Sequence, residues 1–340
     1  MKIKIQTPCR LHFGLIDLNG KLGRIDGGLG VSLNYPNVIL EIEKLNNGQE
    51  NIIEGLDNFI YTNFNFIPPK NEIKITIQQI LNNFDTSGIR IKIKDLIPSH
   101  VGLGSKTQLS LALGQGINKL FNYNYDVNGI AKIVKRGGTS GIGIRSFERG
   151  GFILDGGHSF GKNAQKSSFL PSSASNAPPA PCFVNHPLPE DWYFIIAIPN
   201  IEKGAHGQNE VNIFKEKCPI PLNQVEKISH LILMKILPAI FEESIELFGE
   251  GLTELQNLGF KKYEVNLQPK IIPDLMKKFL EFGAVGTGMS SFGPATYGLI
   301  KGKKQAENLM INIQNYLGER NSRVFYTNCN NSGATIKTID

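Results

Sequence analysis

"IPSHVGLGSKTQLSLALG", residues 97–114, sets a short glycine loop directly against the start of an apolar helix. Pro98, Gly102 and Gly104 come first, then Ser105, Lys106 and Thr107; Leu109, Ala112, Leu113, Ile117, Leu120 and Phe121 follow at helical spacing. A helix N-terminus has unsatisfied N–H groups and the positive end of the dipole, and glycines let the backbone approach a ligand. The junction is therefore predicted to hold an anion. Its spacing matches neither the P-loop GxxxxGK[ST] nor the dinucleotide GxGxxG, so the loop alone does not say which anion.

Working outward, "GIRIKIKDLIP" (88–98) is a strand with Ile89, Ile91 and Ile93 on one face and Arg90, Lys92 and Lys94 on the other. "KIKIQTP" (2–8) and "VSLNYPNVILEIEKL" (31–45) also read as strands, and "NEIKITIQQILNNF" (71–84) as a helix. "VNGIAKIVKRGG" (127–138) is a helix ending at its two glycines. Residues 161–190 are rich in Ser, Ala and Pro and read on composition as a linker. "DWYFIIAIPN" (191–200) opens a second unit, with helices expected over 222–248, about 250–259 and 270–282. The strand "ATYGLI" (295–300), the helix "KKQAENLMINIQNYLG" (303–318) and the strand "RVFYTNC" (323–329) complete it. The expected architecture is α+β in two domains: 1–160 with the glycine loop, 161–190 connecting, and 191–340 as an antiparallel sheet with helices on one face.

Composition narrows the function classes. The 340 residues are 41% hydrophobic and 19% charged, with a net charge of +6, as expected of a folded protein with a substantial core. The excess charge is mild and forms no basic stripe with interleaved aromatics, which argues against nucleic acid and suits a small anionic substrate. Cys9, Cys182, Cys218 and Cys329 are far apart, with neither zinc nor disulfide spacing, as expected of reduced cytoplasmic thiols. No apolar run approaches the ~20 residues of a membrane helix, and the N-terminus lacks a signal-peptide stretch. A soluble intracellular protein is expected.

Three further segments carry chemistry-bearing residues. "CRLHFGLIDLNGKLGRIDGGLG" (9–30) contains Arg10, His12, Asp17, Arg24 and Asp26. "RGGTSGIGIRSFERGGFILDGG" (136–157) contains Arg145, Arg149 and Asp155 and is followed by His158, and "GAVGTGMSSFGPATYGL" (283–299) contains Ser290 and Ser291. Spread over both domains, they predict a polyanion gripped in a cleft between them.

The order "TPCRLHFG", "PSHVGLGSKTQ", "GTGMSSFGPATYG" resembles the three motifs of the GHMP superfamily, named for its galactose, homoserine, mevalonate and phosphomevalonate kinases. The resemblance implies an N-terminal domain of the ribosomal protein S5 domain 2-like type and a ferredoxin-like C-terminal domain. Kinases of the superfamily read close to PxxxGLGSSA in the second motif, whereas this chain has Lys106, Thr107 and Gln108 after Ser105. A narrower match comes from "RLHFGLIDLNGKLGRIDGGLG", "HVGLGSKTQL", "GGTSGIGIRSFERGGFILDGGHSF", "SSFLPSSASNAPPAP" and "PNIEKGAHGQNEVNIF". Together these resemble the β-ribofuranosylaminobenzene 5′-phosphate synthases of archaeal methanopterin synthesis, a family within the superfamily.

That resemblance implies a Mg2+-dependent condensation of 5-phosphoribosyl 1-diphosphate with 4-hydroxybenzoate or 4-aminobenzoate, with loss of CO2 and pyrophosphate, by a homodimer. It also turns residues 161–190 into a candidate site-lining loop. Gly102, Gly104, Ser105, Lys106, Thr107 and Gln108 are then expected at the diphosphate, with Arg145 and Arg149 on a phosphate or carboxylate. Arg10, Arg24, Ser290 and Ser291 are expected on substrate. Asp17, Asp26, Asp155 and Glu210 are candidate carboxylates beside the oxocarbenium-like sugar, and His12 or His158 a candidate base. Lys203 and His206 accompany Glu210 as candidates from the second domain. No magnesium ligand is identified. A small-molecule kinase and a non-catalytic ligand-binding protein on the same fold are the rival readings.

Overall fold

In a computed structural model, described here for residues 1–45, 49–56, 69–84, 86, 88–201, 207–318 and 322–339, two sheets share one apolar core. The chain opens with two long strands, β1 (Lys2–Asp17) and β2 (Arg24–Lys44), antiparallel from Lys2↔Glu43 to Asp17↔Asp26. β3 (Ile52–Glu54), α1 (Lys70–Asn83) and β4 (Ile89–Asp95) follow, then α2 (Ser105–Phe121), α3 (Val127–Ile133) and α4 (Ile142–Glu148). β5 (Phe152–Asp155), β6 (His158–Ser159) and β7 (Cys182–His186) complete this part. The second sheet begins at β8 (Trp192–Pro199), followed by α5 (Gln208–Lys217), α6 (Leu222–Leu231), a π-helical turn (Ile232–Ile236) and α7 (Leu237–Phe241). Then come α8 (Ile245–Leu255), α9 (Gly259–Asn266), α10 (Ile271–Glu281), β9 (Gly286–Met289), β10 (Thr296–Lys301), α11 (Lys303–Leu317), β11 (Ser322–Asn328) and β12 (Thr335–Ile339).

The larger sheet runs β12-β1-β2-β4-β3, with β5 and β6 also on β2 and β7 on β5; the smaller is an antiparallel β11-β8-β10-β9. Strand alternation decides what lies where. Trp192, Phe194, Ile196 and Ile198 of β8 point into the core shared with β1, while Ile195 and Ala197 face α10 and α11. Phe13 of β1 sits at the centre, its ring 5.4 Å from Tyr297, 6.3 Å from Phe248 and 6.4 Å from Phe194. Burial of that one side chain contributes about 1.5–3 kcal/mol.

Three expectations about the fold change. The helix expected over 222–248 is interrupted after Phe241, where Glu243 takes a left-handed φ of 53° and Ser244 N–H bonds back to Ala239 O. Helices cover both faces of the smaller sheet: α10 and α11 one face, α8 the other, together with β1. The connecting segment supplies a strand, β7, to the larger sheet, and β12 brings the last residues back across residue 190 into the same sheet. Among the described residues no helix is long and apolar enough to cross a membrane.

Candidate active site

The glycine loop is locked between β1 and the turn after β9 by bonds that involve mostly backbone. Arg10 N–H donates to Leu103 O (3.2 Å), Ala295 N–H to Val101 O (3.0 Å), and Ser291 N–H to His12 O (3.0 Å). The Ser290 hydroxyl accepts from His12 N–H (2.9 Å) and donates to Gly102 O (2.6 Å), which also accepts from the Arg10 guanidinium. Gly102 has φ +89°, and a Cβ there would stand 2.3 Å from Ser290 O, so only glycine lets the loops close this far. The three sequence motifs thus meet at one junction. Gly104 caps α2 and offers no side chain to its first-turn N–H groups.

Beside this junction lies an inner chamber of about 140 Å³. Its cations are Arg10 and Arg136, its carboxylates Glu210 and Glu264, and its apolar walls include Leu15, Phe214 and Phe292. Thr107, Thr139, Ser140 and Ser291 add hydroxyls. Burial, reinforced by Glu264, pushes the Glu210 carboxyl up to about 7, partly opposed by a hydrogen bond from Ser173. Glu264 is paired with the buried Lys261, whose ammonium also donates to Ser291 O (3.0 Å) and Met289 O (3.3 Å). Burial, then the charges of Arg10 and Lys261, hold His12 well below its ordinary value, so its imidazole is neutral at pH 7.

An outer chamber of about 430 Å³ adjoins the first, with Arg136 and Ser172 lining both. Lys106 and Lys135 line it with Asn82, Asn83, Ser173 and Asn176, and among the described residues no Asp or Glu is in its wall.

Of the predicted residues, Arg10, His12, Thr107, Glu210 and Ser291 line the inner chamber and Lys106 the outer. Gly102, Gly104 and Ser290 shape the junction, and Ser105 opens α2 beside a small cavity shared with Lys106.

Others go elsewhere. Asp17 closes a turn, accepting from Asn19 N–H (2.7 Å) and Gly20 N–H (2.9 Å). Asp26 and His158 are fully buried, joined at 2.7 Å; Asp26 also binds Lys166 Nζ at 2.9 Å, and His158 reaches Pro178 O at 2.8 Å. They fasten the connecting segment and do not line the inner chamber. Asp155 accepts from Gly141 N–H (2.9 Å) and Gly157 N–H (3.0 Å), and burial pushes it up to about 6. Arg24 donates to Gly156 O (3.0 Å) and Gly157 O (3.1 Å). Arg145 pairs with Glu148 and reaches Asn128 (3.1 Å), while Arg149 is largely exposed at the end of α4. Gln108 is buried and donates to Gly143 O (2.8 Å). Lys203 and His206 lie outside the described residues.

Sequence reasoning missed Arg136, Glu264 and Lys261. Arg136 carried a readable signal, standing at the head of the "RGGTSG" run. The helical pair Lys261–Glu264 gave none, because the same spacing is common on solvated helices.

Residues 71–150 match the GHMP kinases N terminal domain and residues 236–317 the GHMP kinases C terminal domain. The chain is 47% identical over 299 residues (86% of this chain, 88% of the relative) to the beta-ribofuranosylphenol 5′-phosphate synthase of Methanocaldococcus jannaschii. It is 38% identical over 338 residues (98% and 99%) to the protein of that name from Archaeoglobus fulgidus. The mevalonate kinase of L. major, solved in complex with R-mevalonate, superposes with a TM-score of 0.67 at 13% identity, covering 97% of this chain and 96% of that one. This last likeness speaks to fold alone. With both GHMP domains in place and sequence identity extending over nearly its whole length, the chain belongs to the beta-ribofuranosylphenol 5′-phosphate synthase family.

Proposed function

We propose that this chain condenses 5-phosphoribosyl 1-diphosphate with 4-hydroxybenzoate, joining the anomeric carbon to the ring carbon that bears the carboxylate and releasing CO2 and pyrophosphate. The observation that carries the reading is the near full-length identity to relatives named for a ribofuranosylphenol 5′-phosphate. A phenol product calls for a hydroxyl rather than an amino group on the acceptor. The inner chamber supports it: an engineered cavity of about 150 Å³ takes one benzene, and this space is similar in size, with apolar walls and one proton-accepting carboxyl.

The ring would lie against Leu15, Phe214 and Phe292, with Arg10 toward its carboxylate. Glu210 takes the phenol proton, and the released electron density drives the ring carbon onto the anomeric carbon as the C–O bond to diphosphate breaks and its electron pair leaves with pyrophosphate. The carboxylate bond then breaks, its pair restores the aromatic ring, and Glu210 returns the proton to the phenolate. Neutral His12 serves as a hydrogen-bond partner without adding charge next to the developing cation.

Among the described residues no group of three or more His, Cys, Asp or Glu is arranged to hold a metal ion. Asn83, Ser173 and Asn176 line the outer chamber with neutral oxygens and would be the residues to hold a magnesium ion there. When bound it neutralises charge on the leaving group.

The test is CO2 release from carboxyl-labelled 4-hydroxybenzoate in the presence of Mg2+. Release that requires 5-phosphoribosyl 1-diphosphate is expected. No release from folded protein, together with ATP consumption on a small alcohol substrate, would replace this reading with a kinase.

A further inference from the structure

We infer that the gap left by Gly28, between Leu15 and Asp155, is the subsite for the pentose hydroxyl next to the anomeric carbon, with Asp155, Ser140 and His12 as its polar groups. This rests on the proposed reaction and names residues that read its sugar. Strand register makes the gap. Leu15 of β1, Gly28 of β2 and Asp155 of β5 stand opposite one another in a row, so all three project to one face of the sheet. The middle place carries no side chain, and the row has a notch there.

Two of the glycines in "DGGLG" (26–30) have backbone reasons to be glycine, and Gly28 has none. Gly27 holds a φ of +65°, and a Cβ at Gly30 would stand 2.3 Å from Leu11 O. Among the described residues, the atoms nearest a Cβ at Gly28 are all polar side-chain atoms: Ser140 Oγ at 3.2 Å, Asp155 Oδ2 at 3.3 Å and His12 Nε2 at 3.3 Å. A strand glycine that faces such a cluster leaves room for a ligand to come close. His12, Leu15 and Ser140 also line the inner chamber, so the notch adjoins the space proposed for the acceptor ring.

Chemistry selects the occupant. Asp155 is fully buried, and its Oδ2 accepts from Gly141 N–H (2.9 Å) and, at longer range, from the Ser140 hydroxyl (3.3 Å). Burial pushes its carboxyl up to about 6, so at pH 7 it is mostly ionised and accepts rather than donates. A phosphate or a benzoate carboxylate would meet like charge there, and an aromatic face would meet only polar atoms. A hydroxyl fits, since it donates to the carboxylate and accepts from Ser140 or His12. On the carbon next to the anomeric centre, such a hydrogen bond strengthens as positive charge develops on the sugar. His12 is neutral and adds no opposing charge.

The experiment measures equilibrium binding of ribose 5-phosphate, 2-deoxyribose 5-phosphate and 4-hydroxybenzoate in neutral Mg2+ buffer. The proteins are wild type, Gly28→Ala and Ser140→Ala. Wild type should hold ribose 5-phosphate about tenfold or more tighter than the deoxy sugar, the difference expected of one hydroxyl bonded to a carboxylate. In Gly28→Ala a methyl fills the notch, and the preference should vanish through weaker ribose binding, while 4-hydroxybenzoate binds as in wild type. Ser140→Ala, at a half-buried side chain, should narrow the preference and serves if Gly28→Ala does not fold. Equal affinity of wild type for the two sugars overturns the assignment and leaves the notch to water. So does a full preference that survives in folded Gly28→Ala. Loss of 4-hydroxybenzoate alone in Gly28→Ala overturns it as well, because the notch would then belong to the phenol group. Failure of the reaction itself reads differently: wild type would release no labelled CO2 while still preferring ribose 5-phosphate, and Gly28→Ala would still erase that preference.

Discussion

A carboxyl that titrates near neutrality inside a cleft controls activity and stability with opposite signs, and Glu210 is such a group. As the base for the phenol proton it works deprotonated, so kcat/KM should rise with pH through an inflection close to 7. In Glu210→Gln that inflection disappears and the rate falls by about 10²–10⁴-fold. Stability runs the other way. The folded value lies above the ordinary carboxylate value, so the unfolded state gives up its proton first, and the contribution of Glu210 is full below about 4.5 and lost as pH rises through 7. Glu210→Gln should therefore melt above wild type at pH 8, with the difference vanishing near pH 4. Two thermal scans check it, and a Glu210→Gln protein that melts lower at pH 8 would refute it. Of the residues around this carboxyl, the sequence exposed some and hid others. Arg10, His12 and Thr107 announce themselves at a glycine-rich junction. Arg136, Arg145 and Arg149 look alike in a string of letters, and only helix phase separates them: Arg145 falls three residues before Glu148 on α4 and pairs with it, leaving Arg136 to the chambers.

The Ser-Ala-Pro segment, residues 161–190, reads as a linker from composition, yet one buried cluster makes it part of the site. Lys166 inserts its ammonium between Asp26, at 2.9 Å, and the carbonyls of Leu170 (3.1 Å) and Gly138 (3.2 Å). His158 completes the bridge from Asp26 to Pro178. What the cluster positions is Pro171 and Ser172 on one side and Thr139 on the other, all on the wall of the inner chamber. Lys166→Met removes the ammonium from a buried carboxylate, leaving His158 as its remaining side-chain partner, and should cost about 3–5 kcal/mol in urea unfolding. Adding Asp26→Asn removes the buried charge left without its ammonium and should recover much of that loss, whereas a double variant no better than the single would show that the charge pair is not what holds the segment. The glycine loop makes a second prediction at this scale. Gly102→Ala puts a methyl against Ser290 O at a φ that alanine disfavours, so the loop must withdraw from β1 and the turn after β9. Activity should collapse by more than it does in Ser290→Ala, which removes two hydrogen bonds, about 1–3 kcal/mol, and leaves the backbone path open.

Two family domains lie along the chain, but the physics joins them into one cooperative body. β12 comes from the far end of the sequence and pairs with β1 from Lys2↔Ile339 to Gln6↔Thr335. Its letters, TIKTI, alternate weakly, so the sequence gives little warning of a strand and none of its partner. Strand partners are set by long-range packing, which local pattern does not encode. Phe13 makes the same point from the other side: its β1 alternation predicts burial, but its neighbours Phe194, Phe248 and Tyr297 all belong to the second half. Phe13→Ala should therefore cost about 3–5 kcal/mol, and the loss should be felt by both halves at once. The single tryptophan gives a clean probe, since Trp192 is buried in β8 and stacked on Phe248 at 5.5 Å. Its fluorescence follows the smaller sheet, while far-UV circular dichroism averages over the whole chain. If one core unites the halves, the two signals in wild type share one urea midpoint, and in Phe13→Ala both midpoints shift down together. A tryptophan transition that stays in place while the circular dichroism moves would mean two separately stable domains, with the chambers between them formed by docking rather than by folding.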